Sequence, residues 1–323
     1  MKTSPKTLVR AAARADDPAL VALSKASYPD YAETLEEWRH RDETFDHTKY
    51  FLLRLVAEDD GRVVGYGQLS HMRWAFVPTK YRIDVTVHPN DRRRGHGSSL
   101  DDALVAAARG RGAKTLAAAA RESMAESVRF VTARGFREVK RDWESRLFVE
   151  GFDFRRFAGA DERVADQGVR IATLADEMRR DPEALRKSFE LCEDCRRDVP
   201  SVDPVTPDTF EHFRQSEVDA PSSLLDAFFI AIDRDGQYLG LSNMFRSLDD
   251  PAFLWQGLTG VRREARGKGI AMALKLRTVR YAIDRGVAHI KTWNDVHNRP
   301  MLSINEALGF AKQPAWITYE KDL

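Results

Sequence analysis

"EARGKGIAMAL", residues 264–274, decides how this chain is read. Gly267 and Gly269 flank Lys268 behind Arg266, and Ile270, Ala273 and Leu274 follow at the spacing of one helix face. A glycine loop between a strand and a helix makes an anion site. The first N–H groups of the helix have no internal partner, and the helix dipole places partial positive charge there. Glycine also lets backbone approach an anion with no Cβ in the way. A close relative, "DRRRGHGSSLDDAL", occupies residues 91–104, with Arg92, Arg93 and Arg94 leading into Gly95, His96 and Gly97. Neither stretch is a G-x-x-x-x-G-K-[ST] phosphate loop or a G-x-G-x-x-G dinucleotide loop.

The two loops mark a repeat. A shift of 174 residues carries Gly95 onto Gly269, Val87 onto Val261, Arg92 onto Arg266, Gly112 onto Gly286 and Gly135-Phe136 onto Gly309-Phe310. The flanking segments repeat as well. "YRIDVTV" and "FLWQGLTGV" predict strands entering the loops, and "SSLDDALVAAARGRG" and "AMALKLRTVRYAIDRG" predict helices closed by glycine. A second strand, a second helix ending in Gly-Phe and a final strand follow in each half. Upstream, "YFLLRLVAEDDGRVVGYGQLS" and "AFFIAIDRDGQYLGLSN" predict hairpins. The expectation is an α/β (α+β) chain of two tandem domains, residues 1–155 and 165–323. Each is a mixed, mostly antiparallel sheet flanked by helices, and the linker falls within residues 152–168.

On these residues the chain resembles the GNAT superfamily of N-acetyltransferases, once per half. "VHPNDRRRGHG" (87–97) and "VRREARGKGIA" (261–271) are similar to its acetyl-CoA loop, and "TWNDVHNRPMLSINEALGF" is similar to tandem members of the mycothiol-synthase kind. The resemblance implies that the amides of Gly95, His96 and Gly97, and of Gly269, Ile270 and Ala271, hold the CoA pyrophosphate. The charges of Arg92–Arg94, and of Arg266 and Lys268 about Gly267, would assist. It implies that strand backbone at Val87, or at Thr259 and Val261, holds the pantetheine and the thioester. Asn298 matches a cofactor-contacting asparagine, where the first half has Met124. The implied reaction is transfer of acetyl from acetyl-CoA to a primary amine of a small molecule or peptide.

The chemistry needs a neutral amine and a proton for the leaving thiolate. An alkylamine near pKa 10.4 costs about 4.6 kcal/mol to deprotonate at pH 7, an α-amine about 1.4 kcal/mol. Many family members place an acidic tyrosine four residues before the Gly-Phe glycine, but here those positions are Val131 and Asn305. Asn305 can contact thiol or substrate. Tyr319 is a substitute acid if the fold brings it near, and Asp84, opposite Leu258 in the repeat, is a candidate base. Glu122 is a further candidate at the mouth of the first half. Positioning of bound reactants supplies up to about 7–11 kcal/mol, whereas one base supplies about 3–5 kcal/mol. The fuller cofactor motif therefore favours the second domain as catalytic, with the first a degenerate copy. A non-catalytic acyl-CoA sensor and an assembly protein with decayed sites remain as alternatives.

Composition sets limits. The chain has 323 residues with 51 Lys and Arg against 50 Asp and Glu, a net charge of +1. That balance gives no global attraction to nucleic acid or anionic membrane. No apolar run approaches the roughly 18–20 residues of a span, and the start, "MKTSPKTLVRAAARADD", lacks the apolar core of a signal peptide, which predicts a cytoplasmic protein. Cys192 and Cys195 are spaced C-x-x-C without a second ligand pair, and "DPEALRKSFELCEDCRRD" reads as a helix with Leu185, Phe189 and Cys192 on one stripe. No metal is expected. Oligomeric state is not legible.

Overall fold

The computed structural model describes residues 7–323. Residues 1–6, on which part of the leader reading falls, lie outside the described residues. In the first half the chain runs through β1 (Leu8–Ala11), α1 (Asp17–Ser27), α2 (Leu35–Glu43), β2 (Leu52–Asp59), β3 (Arg62–Ser70), β4 (Lys80–Val87), α3 (His96–Gly110), β5 (Thr115–Arg121), α4 (Ala125–Thr132) and β6 (Arg137–Phe148). The second half runs through α5 (Ala160–Ala165), β7 (Arg170–Thr173), α6 (Leu174–Arg180), α7 (Ala184–Arg196), α8 (Phe210–Glu217), β8 (Phe229–Ile232), β9 (Tyr238–Arg246), β10 (Phe253–Val261), α9 (Ile270–Asp284), β11 (His289–Asp295), α10 (Arg299–Leu308), β12 (Ala311–Lys312) and β13 (Trp316–Asp322).

The chain forms two compact units that do not follow the sequence halves. Of the described residues, unit 1 takes 7–141, 202–206 and 315–323, and unit 2 takes 142–201 and 207–314. In unit 1, β1 to β4 pair antiparallel in order, β5 joins β4 in parallel, and β13 pairs antiparallel along β5 from Trp316↔Arg121 to Asp322↔Thr115. Unit 2 repeats this plan. Strands β7 to β10 pair antiparallel, β11 joins β10 in parallel, and β6 pairs along β11 from Asp142↔Asp295 to Phe148↔His289. The closing strand of each sheet thus comes from the other half of the sequence. Two consecutive segments, 1–155 and 165–323, do not describe this arrangement. Alternation predicts that a strand exists, whereas the edge it pairs with is chosen by register and packing.

Helices cover both faces of each sheet. In unit 2, Ile270, Ala273, Leu274, Val279 and Ala282 of α9 pack on one face with Leu308 and Phe310, while Leu191 and Cys192 of α7 and Phe213 of α8 pack on the other. Each large apolar side chain so buried stabilises the unit by about 1.5–3 kcal/mol. Both cysteines are buried thiols within α7, and burial raises each one's pKa. In unit 1, Leu104 and Ala108 of α3 face Leu69 and Ile83, while Leu20, Leu23 and Trp38 of α1 and α2 cover Val56 and Tyr66. Among the described residues no helix is long and apolar enough to cross a membrane, and no group of three or more His, Cys, Asp or Glu could hold a metal.

Candidate active site

Strand β10 carries the unit 2 loop. Its parallel register with β11 covers three pairs, Phe253↔His289 to Trp255↔Lys291, although β10 continues to Val261 and β11 to Asp295. Its register with β9 shifts between Gln256 and Thr259, which is the mark of a bulge. Beyond Trp255 the two parallel strands therefore splay, and β10 runs beside an opening in the sheet. The Thr259 hydroxyl shares a 2.8 Å hydrogen bond with Ser242. At the strand end, Arg266 Nε donates to the Val261 carbonyl at 3.0 Å, which folds the loop back on its own strand.

Gly267 and Gly269 both hold positive φ, +78° and +82°, a backbone that favours glycine. Gly269 caps α9 with no side-chain bond, and the first return bond is Ala273 N–H to the Gly269 carbonyl at 3.1 Å. The amides of Ile270, Ala271 and Met272 then lack helical partners. A Cβ at Gly267 or Gly269 would meet nothing within 4 Å, so the space before those amides is open. Arg263 and Arg266 pair with Asp198 and hold its carboxyl well below the usual range, and Arg262 pairs with Asp194. Lys268 has no ion-pair partner among the described residues, while its carbonyl accepts from Gln167 at 3.1 Å.

Two asparagines of α10 belong to this unit. Asn298 is the helix cap, accepting from Met301 N–H at 3.4 Å. Asn305 is 2% exposed, and its Nδ2 donates to Asn294 Oδ1 at 2.7 Å. Its own Oδ1 is buried with no hydrogen-bond partner. An orphaned buried acceptor of this kind costs free energy unless a ligand donor meets it.

Unit 1 reproduces the loop with different side-chain chemistry. The β4–β5 parallel register also covers three pairs, Lys80↔Thr115 to Arg82↔Ala117, and Arg92 Nε donates to the Val87 carbonyl at 3.3 Å. Positive φ recurs at Arg93, +63°, and Gly95, +94°. The first of these is the counterpart of Gly267, so a β-carbon sits where unit 2 has none. Arg94 is tied to Asp59 at 2.8 Å and Asp91 at 3.1 Å. His96 is 2% exposed, with Nδ1 on the Thr7 hydroxyl at 2.9 Å and Nε2 3.9 Å from Asp59. At Gly97 an added Cβ would lie 3.4 Å from the Phe130 ring, an ordinary contact. Met124 begins α4 with no side-chain cap.

The candidate acid–base residues fall in separate environments. Asp84 lies on β4, where Arg82 donates to both carboxylate oxygens, 2.8 Å from Nε and 2.9 Å from Nη2. Both oxygens of this carboxylate are thus engaged by one guanidinium. Glu122 accepts from Ala315 N–H at 2.8 Å and pairs with Arg141, which anchors the start of β13. Tyr319 sits opposite Ala118 in the unit 1 sheet, 4% exposed in its core, and burial raises its hydroxyl. It is not grouped with Asn298 and Asn305, which lie in unit 2.

Sequence reasoning missed two ionisable groups in unit 2. Glu217 ends α8, and burial pushes its carboxyl up to about 7 against the opposing hydrogen bond from Asn243. Lys275 on α9 is 1% exposed, with its ammonium 4.9 Å from the centre of the Phe310 ring, and burial alone pulls it down to about 7. In sequence both are ordinary charged residues of amphipathic helices. No spacing distinguishes them.

The acetyltransferase (GNAT) family model matches residues 18–136, from α1 through the first loop to Phe136. Residues 18–136 are a GNAT acetyltransferase domain. Relatives extend the likeness over the chain. Mycothiol acetyltransferase of Streptomyces coelicolor is 25% identical over 332 residues, covering 99% of this chain and 94% of its own. The one from Thermobifida fusca is 28% identical over 242 residues, 70% of each. A tandem GNAT protein from the clavulanic acid biosynthesis pathway superposes with a TM-score of 0.74 at 22% identity over 98% of both chains. A GCN5-related N-acetyltransferase from Sphaerobacter thermophilus gives 0.70 at 22% identity, covering 99% of this chain and 97% of its own. These superpositions show a tandem GNAT fold. The family match and the curated relatives support an acyltransferase.

Proposed function

We propose that the chain is an acetyl-CoA-dependent N-acetyltransferase acting on a primary amine, and that unit 2 performs the transfer. One observation carries this reading: a bulged strand leaves its parallel neighbour and ends in a loop whose glycine-capped helix presents uncapped amides to open space. Asn298 stands at the start of α10 and the unsatisfied Asn305 oxygen on α10, in the same unit. The loop amides would take the pyrophosphate, and β10 backbone near Thr259 would hold the pantetheine. Acetyl-CoA brings an activated thioester carbonyl. The chain's task is to hold it, to exclude water and to bring up a neutral amine. The name of the curated relatives supports a small-molecule acceptor over a peptide.

The absence of tyrosine at Val131 and Asn305 favours one other reading, an acyl-CoA sensor without turnover. Loop variants test the placement. Acetyl-CoA is expected to raise the melting temperature of the wild type. Gly269→Val removes most of that shift, because its side chain enters the open space and its φ is strained. Gly95→Val leaves most of it. The reverse pattern would place the principal cofactor site in unit 1.

A further inference from the structure

We propose that Glu217 accepts the proton of the acceptor's ammonium group in unit 2, with Asn243 Oδ1 as the second acceptor that holds that group. The inference rests on the transfer reading above and names the residue that makes the amine nucleophilic.

Glu217 comes from the last position of α8 and reaches β9, where its Oε2 accepts from Asn243 Nδ2 at 2.6 Å. Asn243 is 2% exposed, and its Oδ1 is buried with no hydrogen-bond partner. That oxygen lies directly over β10, since a Cβ built on Gly257 would stand 2.5 Å from it and 2.8 Å from the Phe245 ring. Gly257 is two residues past the last β10–β11 pair and within the bulge. The carboxylate and the orphaned amide oxygen therefore converge beside the point where the sheet opens. Both groups present acceptors, and the absence of a Cβ at Gly257 is what lets the Asn243 oxygen sit against the β10 backbone. An amine or ammonium meets that chemistry; a carboxylate or phosphate does not.

The cation that acts on Glu217 is Arg196. From α7 the groups near it are the Cys192 thiol and Arg196, and from the segment before α8 it is Asp208. Arg196 is already shared between Asp208 at 3.3 Å and Glu193 at 3.6 Å, and Asp208 also holds His212 at 2.7 Å. From β9 the contact is Asn243 itself. Burial dominates this balance and raises the carboxyl to about 7, near the value that makes a base effective at neutral pH.

The corresponding place in unit 1 is closed. Gly65 faces Val87 and Gly240 faces Val261, so Gln68 corresponds to Asn243. There Arg54 donates to Gln68 at 3.0 Å and pairs with Asp42, near the end of α2, at 2.7 Å. A guanidinium there partners the side-chain oxygen whose counterpart on Asn243 is unsatisfied.

The step balances. Glu217 takes one proton from the ammonium, the amine lone pair forms the C–N bond, and the C–S bond breaks with its electron pair on the thiolate. The nitrogen's second surplus proton neutralises the thiolate, and Glu217 returns its proton to solvent.

The test uses the full chain with acetyl-CoA and benzylamine, spermidine and glycinamide as probes. Free thiol is followed from pH 5.5 to 9 for the wild type, Glu217→Gln and Asn243→Leu. Glu217→Gln is expected to keep acetyl-CoA binding and its thermal shift, to lose kcat by about 10²- to 10⁴-fold, and to lose the acidic limb near pH 7. Asn243→Leu is expected to raise KM for the amine. If the wild type turns over while Glu217→Gln stays within about threefold with the acidic limb intact, a cutoff set well below the loss of a general base, Glu217 is not the base and the transfer reading stands. If the wild type binds acetyl-CoA but acetylates no probe, the transfer reading falls, and the base assignment with it.

Discussion

Replacing Lys275 with methionine should make the protein more stable. The residue is 1% exposed, no carboxylate pairs with it among the described residues, and its ammonium lies 4.9 Å from the centre of the Phe310 ring. Burial lowers its pKa from 10.5 to about 7. At about 1.4 kcal/mol per pH unit, that gap corresponds to at most about 5 kcal/mol of folding free energy lost below pH 7. Contact with the ring and local relaxation reduce the recoverable part to about 2–4 kcal/mol. Methionine keeps the apolar stem at similar volume. Between pH 7 and 10.5 the unfolded chain holds the lysine proton and the folded chain does not, so wild-type stability rises with pH across that window. The gain in Lys275→Met is therefore full at pH 6 and shrinks as pH climbs past 7. Urea denaturation of both proteins at pH 6, 7.5 and 9.5 measures it. A variant no more stable than wild type at pH 6, or a gain unchanged at pH 9.5, would show that the buried ammonium does not destabilise the fold.

The unit 1 loop offers a second stability test: Arg93 holds φ +63° where unit 2 has glycine, and Arg93→Gly should gain about 1 kcal/mol in the unit 1 transition. Loss of stability there would mean that the guanidinium holds the loop. In steady-state turnover, Asn298→Ala is expected to raise KM for acetyl-CoA by about tenfold, which corresponds to one neutral hydrogen bond, whereas Asp84→Asn should leave turnover near wild type because Arg82 already occupies that carboxylate. Loss of activity in the aspartate variant alone would move the chemistry to unit 1.

Much of the fold was legible because its signals are local. The glycines at 95, 267 and 269 mark positive φ, the apolar stripe from Ile270 to Ala282 marks a core helix, and the 174-residue shift carries both across the repeat. What was not legible is pairing at a distance. Nothing in "WITYEKD" says that it lies along Thr115–Arg121, so in sequence Tyr319 reads as a candidate acid although the fold places it in the unit 1 sheet. Asp84 reads as a free acid because the bidentate grip of Arg82 depends on side-chain geometry two residues away. Glu217 and Lys275 carry no sequence signal, because burial decides their chemistry and periodicity places helical glutamates and lysines on the solvated face by default.

Acetyl transfer from acetyl-CoA to an amine is tested most directly by following both products at once. Wild-type protein is mixed with acetyl-CoA and the amine panel, free thiol is read by colorimetry, and the acetylated amine by mass spectrometry. Thiol and acetylated amine are expected in equal amounts for at least one acceptor, rising with protein concentration. Saturable binding of acetyl-CoA with neither product formed would contradict transfer and make the chain a sensor.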